Sequence, residues 1–185
     1  MVLRLRKKHR KMIKLVPFKE EDFEKLISWI ENEKILVQFA GAVVFTYPLT
    51  KEQLETYIAD DKRFAFKVVE VETNETVGHA EIYLVKPNVS RLCRVLIGRE
   101  EYRGKGIGRQ IMAQLMDYSF NRLSVEVVEL NVYDWNTAAI KCYEKVGFTI
   151  NPSVSSRVEV DGGIWTSVNM RVQRNTGQAN GKKQR

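Results

Sequence analysis

The chain has 185 residues, 30 Lys or Arg against 23 Asp or Glu, and a formal charge of +7, a length suited to one domain with a sizeable core. No run of roughly 18 apolar residues marks a membrane span, and the opening "MVLRLRKKHRK" lacks the apolar core of a secretory signal, so a cytoplasmic protein without a membrane partner is expected. Its two cysteines, Cys93 and Cys142, and two histidines, His9 and His79, have neither the number nor the spacing of a disulfide framework or a zinc site, so no metal is expected and both thiols are read as packing.

In chain order, residues 1–11 hold six Lys or Arg and no acid, and residues 174–185 hold four with none. Subtracting those ten from +7 leaves −3 for the body. The expected organisation is a basic N-terminal extension, 1–11, a single domain, 12–173, and a basic tail, 174–185, with both ends unstructured for want of an apolar period. A nucleic-acid-binding stripe on the fold is therefore not supported, although basic tails can touch RNA.

Within the body, "MIKLVP" reads as a first strand and "EEDFEKLISWIENEK" as an amphipathic helix with Phe23, Leu26, Ile27 and Ile30 at helical spacing. "TKEQLETYIADD" opens with a capping box, Thr50 to Gln53, and gathers Leu54, Tyr57 and Ile58 on one face of a second helix. "FAFKVVEVE", "VGHAEIYLV" and "RLCRVLIG" are strands with short polar connections, which implies an antiparallel meander. A helix over about 106–120 should turn Ile107, Ile111, Leu115 and Tyr118 inward, and "VEVVELNV" then returns by a crossover as a parallel strand. The helix "NTAAIKCYEKV" ends at Gly147, and "SVSSRVEV", "DGG" and "IWTSVNMRV" close the domain as a hairpin. The fold class is α/β, with a mixed sheet.

Between a strand and a helix lies "EYRGKGIGRQ", with Gly104, Gly106 and Gly108 at alternate positions among basic residues. A helix start offers unpaired N–H groups and positive dipole, and glycine lets a ligand reach the backbone, so the stretch suits a pyrophosphate. It is no Walker loop, since no Gly-Lys-Ser/Thr ends it, and no dinucleotide fingerprint, since Arg109 stands where the third glycine belongs. A glycine turn with a solvated basic rim is the plainer alternative. Further on, Asn136 and Tyr143 are seven residues apart, nearly two helical turns, so they share a helix face about 10 Å apart along the axis. Tyr143 packing idly against its own helix is the alternative there.

The run Arg103-Gly104-Lys105-Gly106-Ile107-Gly108 fits Arg/Gln-x-x-Gly-x-Gly/Ala, and Asn136 to Phe148 fits Asn-x-x-Ala…Tyr-x-x-x-Gly-Phe. Together they resemble the GNAT superfamily of N-acetyltransferases, and the likeness covers most of residues 12–172. The resemblance implies a mixed, mostly antiparallel sheet with a splayed parallel pair, flanked by helices, and acetyl-CoA as donor. It implies that Leu96, Ile97 and Gly98 bond the pantetheine and polarise the thioester carbonyl. Main-chain N–H groups of 103–108 would hold the pyrophosphate, Asn136 would contact the pantetheine arm, and Tyr143 would stand near the sulfur. Independently, a phenol with a pKa of about 10 stays protonated at neutral pH and can protonate a departing thiolate.

Many members of the superfamily carry a glutamate on the strand entering the glycine loop, and "SRLCRVLIG" has no acid. The nearest substitute base is Glu81, which alternates with His79 and Tyr83 along its strand. A solvated carboxylate is the plainer reading of it, and a water relay or an already neutral amine would make a base unnecessary. Neutralising an amine at pH 7 costs about 1.4 kcal/mol per pKa unit, so an α-amine needs about 1.4 and a lysine amine nearly 5. The expected acceptor is thus a low-pKa amine. The opening "IKLVPFKEEDFEKLISWI" is similar to the branch that acetylates ribosomal-protein N-termini, while aminoglycosides and polyamines stay open, as does a homodimer. Two other classes are weighed against this: a non-catalytic acetyl-CoA sensor, which the presence of Tyr143 opposes, and a nucleic-acid binder, which the acidic body opposes.

Overall fold

The computed structural model describes residues 12–174; the expected extension and tail, 1–11 and all but the first residue of 174–185, lie outside them. Seven strands form one sheet in the order β1-β2-β3-β4-β5-β7-β6. They are β1 Ile13–Pro17, β2 Arg63–Glu70, β3 Thr76–Lys86, β4 Val89–Ile97, β5 Val127–Tyr133, β6 Thr149–Val160 and β7 Gly163–Gln173. Strands β1 to β4 are an antiparallel meander, as their short polar connections require. Among the described residues, the one parallel pair is β4 with β5, reached through a crossover helix.

That pair defines the centre of the molecule. It is in register only from Val89 with Val127 to Leu92 with Leu130, yet β4 runs on to Ile97 and β5 to Tyr133. Past Leu92 the two strands part, each still bonded on its outer side, β4 to β3 and β5 to β7.

Among the described residues, five α-helices cover the sheet: α1 Phe23–Ile27, α2 Glu33–Ala40, α3 Lys51–Ile58, α4 Ile107–Asp117 and α5 Thr137–Glu144. The helix expected over "EEDFEKLISWIENEK" is shorter, with α1 ending at Ile27, and α2, which the sequence reading did not assign, begins at Glu33. Asn32, in extended backbone, accepts a hydrogen bond from Ile35 N at 3.0 Å, which starts a new helix within the polar run Glu31-Asn32-Glu33-Lys34. Helix α2 then buries Leu36, Val37 and Phe39. At α3, Thr50 caps Gln53 N at 3.4 Å, but the Gln53 side chain bonds Thr46 and Pro48 instead of closing the box.

Two cores result. Helices α1 to α3 pack Phe23, Leu26, Leu36, Phe39, Phe45 and Leu54 on one face, while α4 seats Ile107, Ile111 and Leu115 on the other with Val128, Leu130 and Met170. Helix α4 ends at Asp117 and the chain widens into a π-turn, closed by Leu123 N on Tyr118 O at 3.1 Å. The hairpin turn is Asp161-Gly162, both at positive φ (51° and 70°), the two-residue geometry that matches strand twist. Strand β6 is an outer strand, mostly exposed, with a register break between Asn151 and Ser155 that contains Pro152.

Candidate active site

The glycine stretch sits at the mouth of the parting strands, between β4 and α4. Gly104 and Gly106 have φ of +73° and +83°, and a Cβ at either would meet nothing within 4 Å, so glycine there serves backbone shape and leaves the approach open. Gly106 is the N-cap of α4 and supplies no side-chain cap. The first backbone bond across the start is Gln110 N to Gly106 O at 3.2 Å, while Arg103 N is held by Glu100 O at 2.8 Å; the first amides of a helix have no intrahelical partner, which makes such a start an electropositive cradle for an anion. Gly108 differs: a Cβ there would rest 3.6 Å from Cys142 Sγ of α5, an ordinary contact that calls for no movement of either helix.

The charges around the cradle are partly spent on neighbours. Arg103 reaches Glu100 at 3.4 Å and the Ile97 carbonyl at 3.5 Å, and the Lys105 ammonium lies 5.9 Å from the Tyr102 ring centre. Ile107 is buried in the core beneath.

Leu96, Ile97 and Gly98 lie beyond the last β4–β5 pair and are half-buried. Gly98 N is held by Val77 O at 2.9 Å. A Cβ at Gly98 would fall inside the Trp29 indole, so this glycine is demanded by a ring from the end of α1, a requirement that a motif cannot express. On the facing side, Asn136 is the N-cap of α5, its Oδ1 accepting from Ala139 N at 3.2 Å. Its amide nitrogen has no partner among the described residues. Tyr143 stands on α5, half-buried against the core, its ring 6.3 Å from that of Phe148. Burial, with Cys142 beside it, pushes its phenol up to about 12, so the proton is present at any physiological pH. Gly147 N and Phe148 N close the helix on Glu144 O and Tyr143 O at 3.0 and 3.1 Å, a glycine C-terminus with φ +103°.

Glu81 lies on β3, opposite Cys93 of β4. It is fully buried on the face packed by α1 to α3, where Tyr57 Oη donates to it at 2.5 Å, Arg63 at 3.0 Å and Arg94 at 2.5 Å. It is thus no solvated carboxylate: both of its oxygens are occupied, by two guanidinium groups and a phenol. His79 is buried beside it, its Nδ1 3.0 Å from Arg94 O, and burial holds the imidazole down to about 4 and therefore neutral. The thiol of Cys93 is pushed up to about 12, first by burial and then by Glu81, which makes it inert. Sequence reasoning missed Arg94, Tyr57 and Arg63 because their meeting depends on strand register. It also missed three stacked and edge-on rings at the end of β5, Tyr133, Trp135 and Trp165, with centres 5.0 to 5.7 Å apart.

An α/β sheet whose one parallel pair parts over an uncapped, glycine-started helix is the architecture of an acyl-CoA-dependent transferase. The acetyltransferase (GNAT) domain family matches residues 13–149, and the chain belongs to that family. It is an acetyl-CoA-dependent N-acetyltransferase. Among curated relatives, the N-acetyltransferase 9-like protein of Caenorhabditis briggsae is 25% identical over 146 residues, 72% of this chain and 73% of the relative. Its counterpart in Nematostella vectensis is 22% identical over 146 residues, 73% of each chain. Among solved structures, spermidine N-acetyltransferase of Vibrio cholerae in complex with CoA and spermine superposes with a TM-score of 0.74 at 21% identity, over 88% of this chain and 95% of that one. At that identity the likeness speaks for the fold.

Proposed function

We propose that this enzyme binds acetyl-CoA in the gap between β4 and β5 and passes the acetyl group directly to a low-pKa primary amine, a protein N-terminal α-amine or a small-molecule amine. The observation that carries the reading is the parting of β4 and β5 directly above the open, uncapped start of α4. Backbone groups of Leu96 to Gly98 line the pantetheine side. Of the amides of 103–108, those of 104–108 hold the pyrophosphate, since Arg103 N is bonded to Glu100 O, with the Arg103 and Lys105 side chains adding charge. The free amide of Asn136 reaches the arm from across the gap. The amine nitrogen attacks the thioester carbon, the C–S bond breaks, and the Tyr143 phenol gives its proton to the departing thiolate. The ammonium proton leaves to water, because Glu81 is engaged elsewhere, and a proton from water restores the Tyr143 phenol. That lack of a dedicated base is what favours an amine already partly neutral.

Isothermal titration of acetyl-CoA against the purified chain tests the binding. A panel of free N-terminal peptides, N-terminally blocked lysine peptides, polyamines and aminoglycosides, read by released thiol from pH 6.5 to 9.5, tests the acceptor. Preference for the blocked lysine peptide at pH 7 overturns the low-pKa reading. Binding without turnover on any amine favours a sensor. Light scattering on the same sample decides between monomer and homodimer.

A further inference from the structure

Strands β3 and β4 do not pair evenly. Glu81 faces Cys93 and His79 faces Leu96, so β4 spends one residue more than β3 over this interval, and Ala80 is opposed by both Arg94 and Val95. The bulged residue Arg94 has φ +49°, a left-handed conformation that costs a non-glycine residue roughly 1 kcal/mol or more and persists only where surroundings enforce it. The enforcement is visible. His79 and Glu81, two residues apart on β3 and so on one face, take Arg94 at both ends. The imidazole bonds its carbonyl at 3.0 Å and the carboxylate bonds its guanidinium at 2.5 Å. Tyr57 from α3 and Arg63 from β2 complete the carboxylate. The guanidinium also lies over the Phe45 and Tyr57 rings, 5.6 and 5.3 Å from their centres.

The position of this bulge matters because β4 has already left β5. The last parallel pair is Leu92 with Leu130, two residues before Arg94. From there to Gly98, β4 keeps strand pairing on the β3 side alone, and the bulge at Arg94 decides which way residues 95–98 travel. We propose that Glu81 and His79 are positioning residues, a clamp on the Arg94 bulge that fixes the direction of Val95–Gly98 and hence the width of the gap between β4 and β5. The bearing of that width on acetyl-CoA rests on the proposed function; the clamp itself does not.

The test therefore begins without ligand. Amide hydrogen exchange is followed in wild type and Glu81→Gln, which keeps the shape of the side chain and removes its charge. A released bulge speeds exchange over 95–98 by about tenfold relative to 89–92, the still-paired part of β4. Equal acceleration of both stretches, or of neither, overturns the clamp. Should Glu81→Gln alone fail to fold for want of a counter-charge to Arg94, Glu81→Gln with Arg94→Gln removes both charges and is judged by the same ratio. Acetyl-CoA affinity and the pH–rate profile follow. The clamp predicts weaker acetyl-CoA binding with the acidic limb of the profile unmoved. A base at Glu81 predicts unchanged binding, a kcat lower by about 100- to 10,000-fold and loss of that limb, and this outcome overturns the positioning role. If wild type itself binds no acetyl-CoA, the proposed function fails while the exchange ratio still judges the clamp.

Discussion

The two strands that part at the centre are held in opposite ways. On the β4 side, β3 and helices α1 to α3 bury His79, Glu81 and Arg94 together, with Trp29 closed over Gly98. On the other side, the start of α4 presents amides without a cap, Gly104 and Gly106 face open space, and α5 contains no buried residue. One half carries the polar bonds that keep a shape. The other leaves polar groups unspent, as a surface that must change partners has to. The lesson is that the two halves answer to different measurements: stability and pH on the clamped side, affinity and turnover on the open side.

The sharpest way to break this division is Tyr143→Phe, on the open side. Ring packing is kept and only the phenolic proton goes, so kcat should fall by about 100- to 10,000-fold while acetyl-CoA affinity, read by calorimetry, stays put. A kcat equal to wild type would make Tyr143 a packing residue.

On the clamped side, acidity is the probe. Desolvation, partly opposed by the bond to Arg94 O, holds His79 at about 4 in the fold, against about 6.5 in the unfolded chain. Below pH 6.5 the unfolded state binds the extra proton, so stability falls as pH drops toward 4 and this contribution is complete above 6.5. Between pH 7.5 and 5 the loss is about 2 kcal/mol by denaturant melts. Replacing His79 by Gln should shrink that difference. An equally steep pH dependence in His79→Gln would assign it to another group.

Smaller effects sharpen the contrast. Gly106→Ala forces a side chain into a left-handed N-cap, a strain of about 1–2 kcal/mol, and should weaken acetyl-CoA binding more than it lowers the melting temperature. Unchanged affinity would remove the cradle. Least of all, Asp161→Asn breaks the exposed pair with Lys34, 2.8 Å apart between the hairpin turn and α2; exposed pairs are worth about 0–1 kcal/mol, so a melt should barely register it.

What the sequence could disclose follows the same line. The glycines, the Thr50 cap, the Gly147 stop and the alternating strands are local events, each decided within a few residues, and they appear in the fold where their spacing puts them. Glu81 was legible as a face of β3 but not as a buried charge, because Arg94 and Arg63 reach it only through strand pairing, and Arg94 only through a bulge. Gly98 invited a reading as ligand backbone when Trp29 also needs it bare. The break between α1 and α2 falls at Glu31-Asn32-Glu33-Lys34, where the apolar spacing that ran to Ile30 lapses and Asn32 caps the next helix.

Strand β6 has a consequence for the protein in bulk. A long outer strand with free donors and acceptors is a template on which other chains polymerise. Here the register break between Asn151 and Ser155 interrupts the template, Pro152 offers no donor, and exposed Arg157 and Glu159 put charge on the remainder. The stretch left to recruit a neighbouring sheet is short and hydrophilic. Such an edge resists fibrous growth, and it keeps a hairpin whose turn reaches α2 available to the molecule itself instead of to its copies.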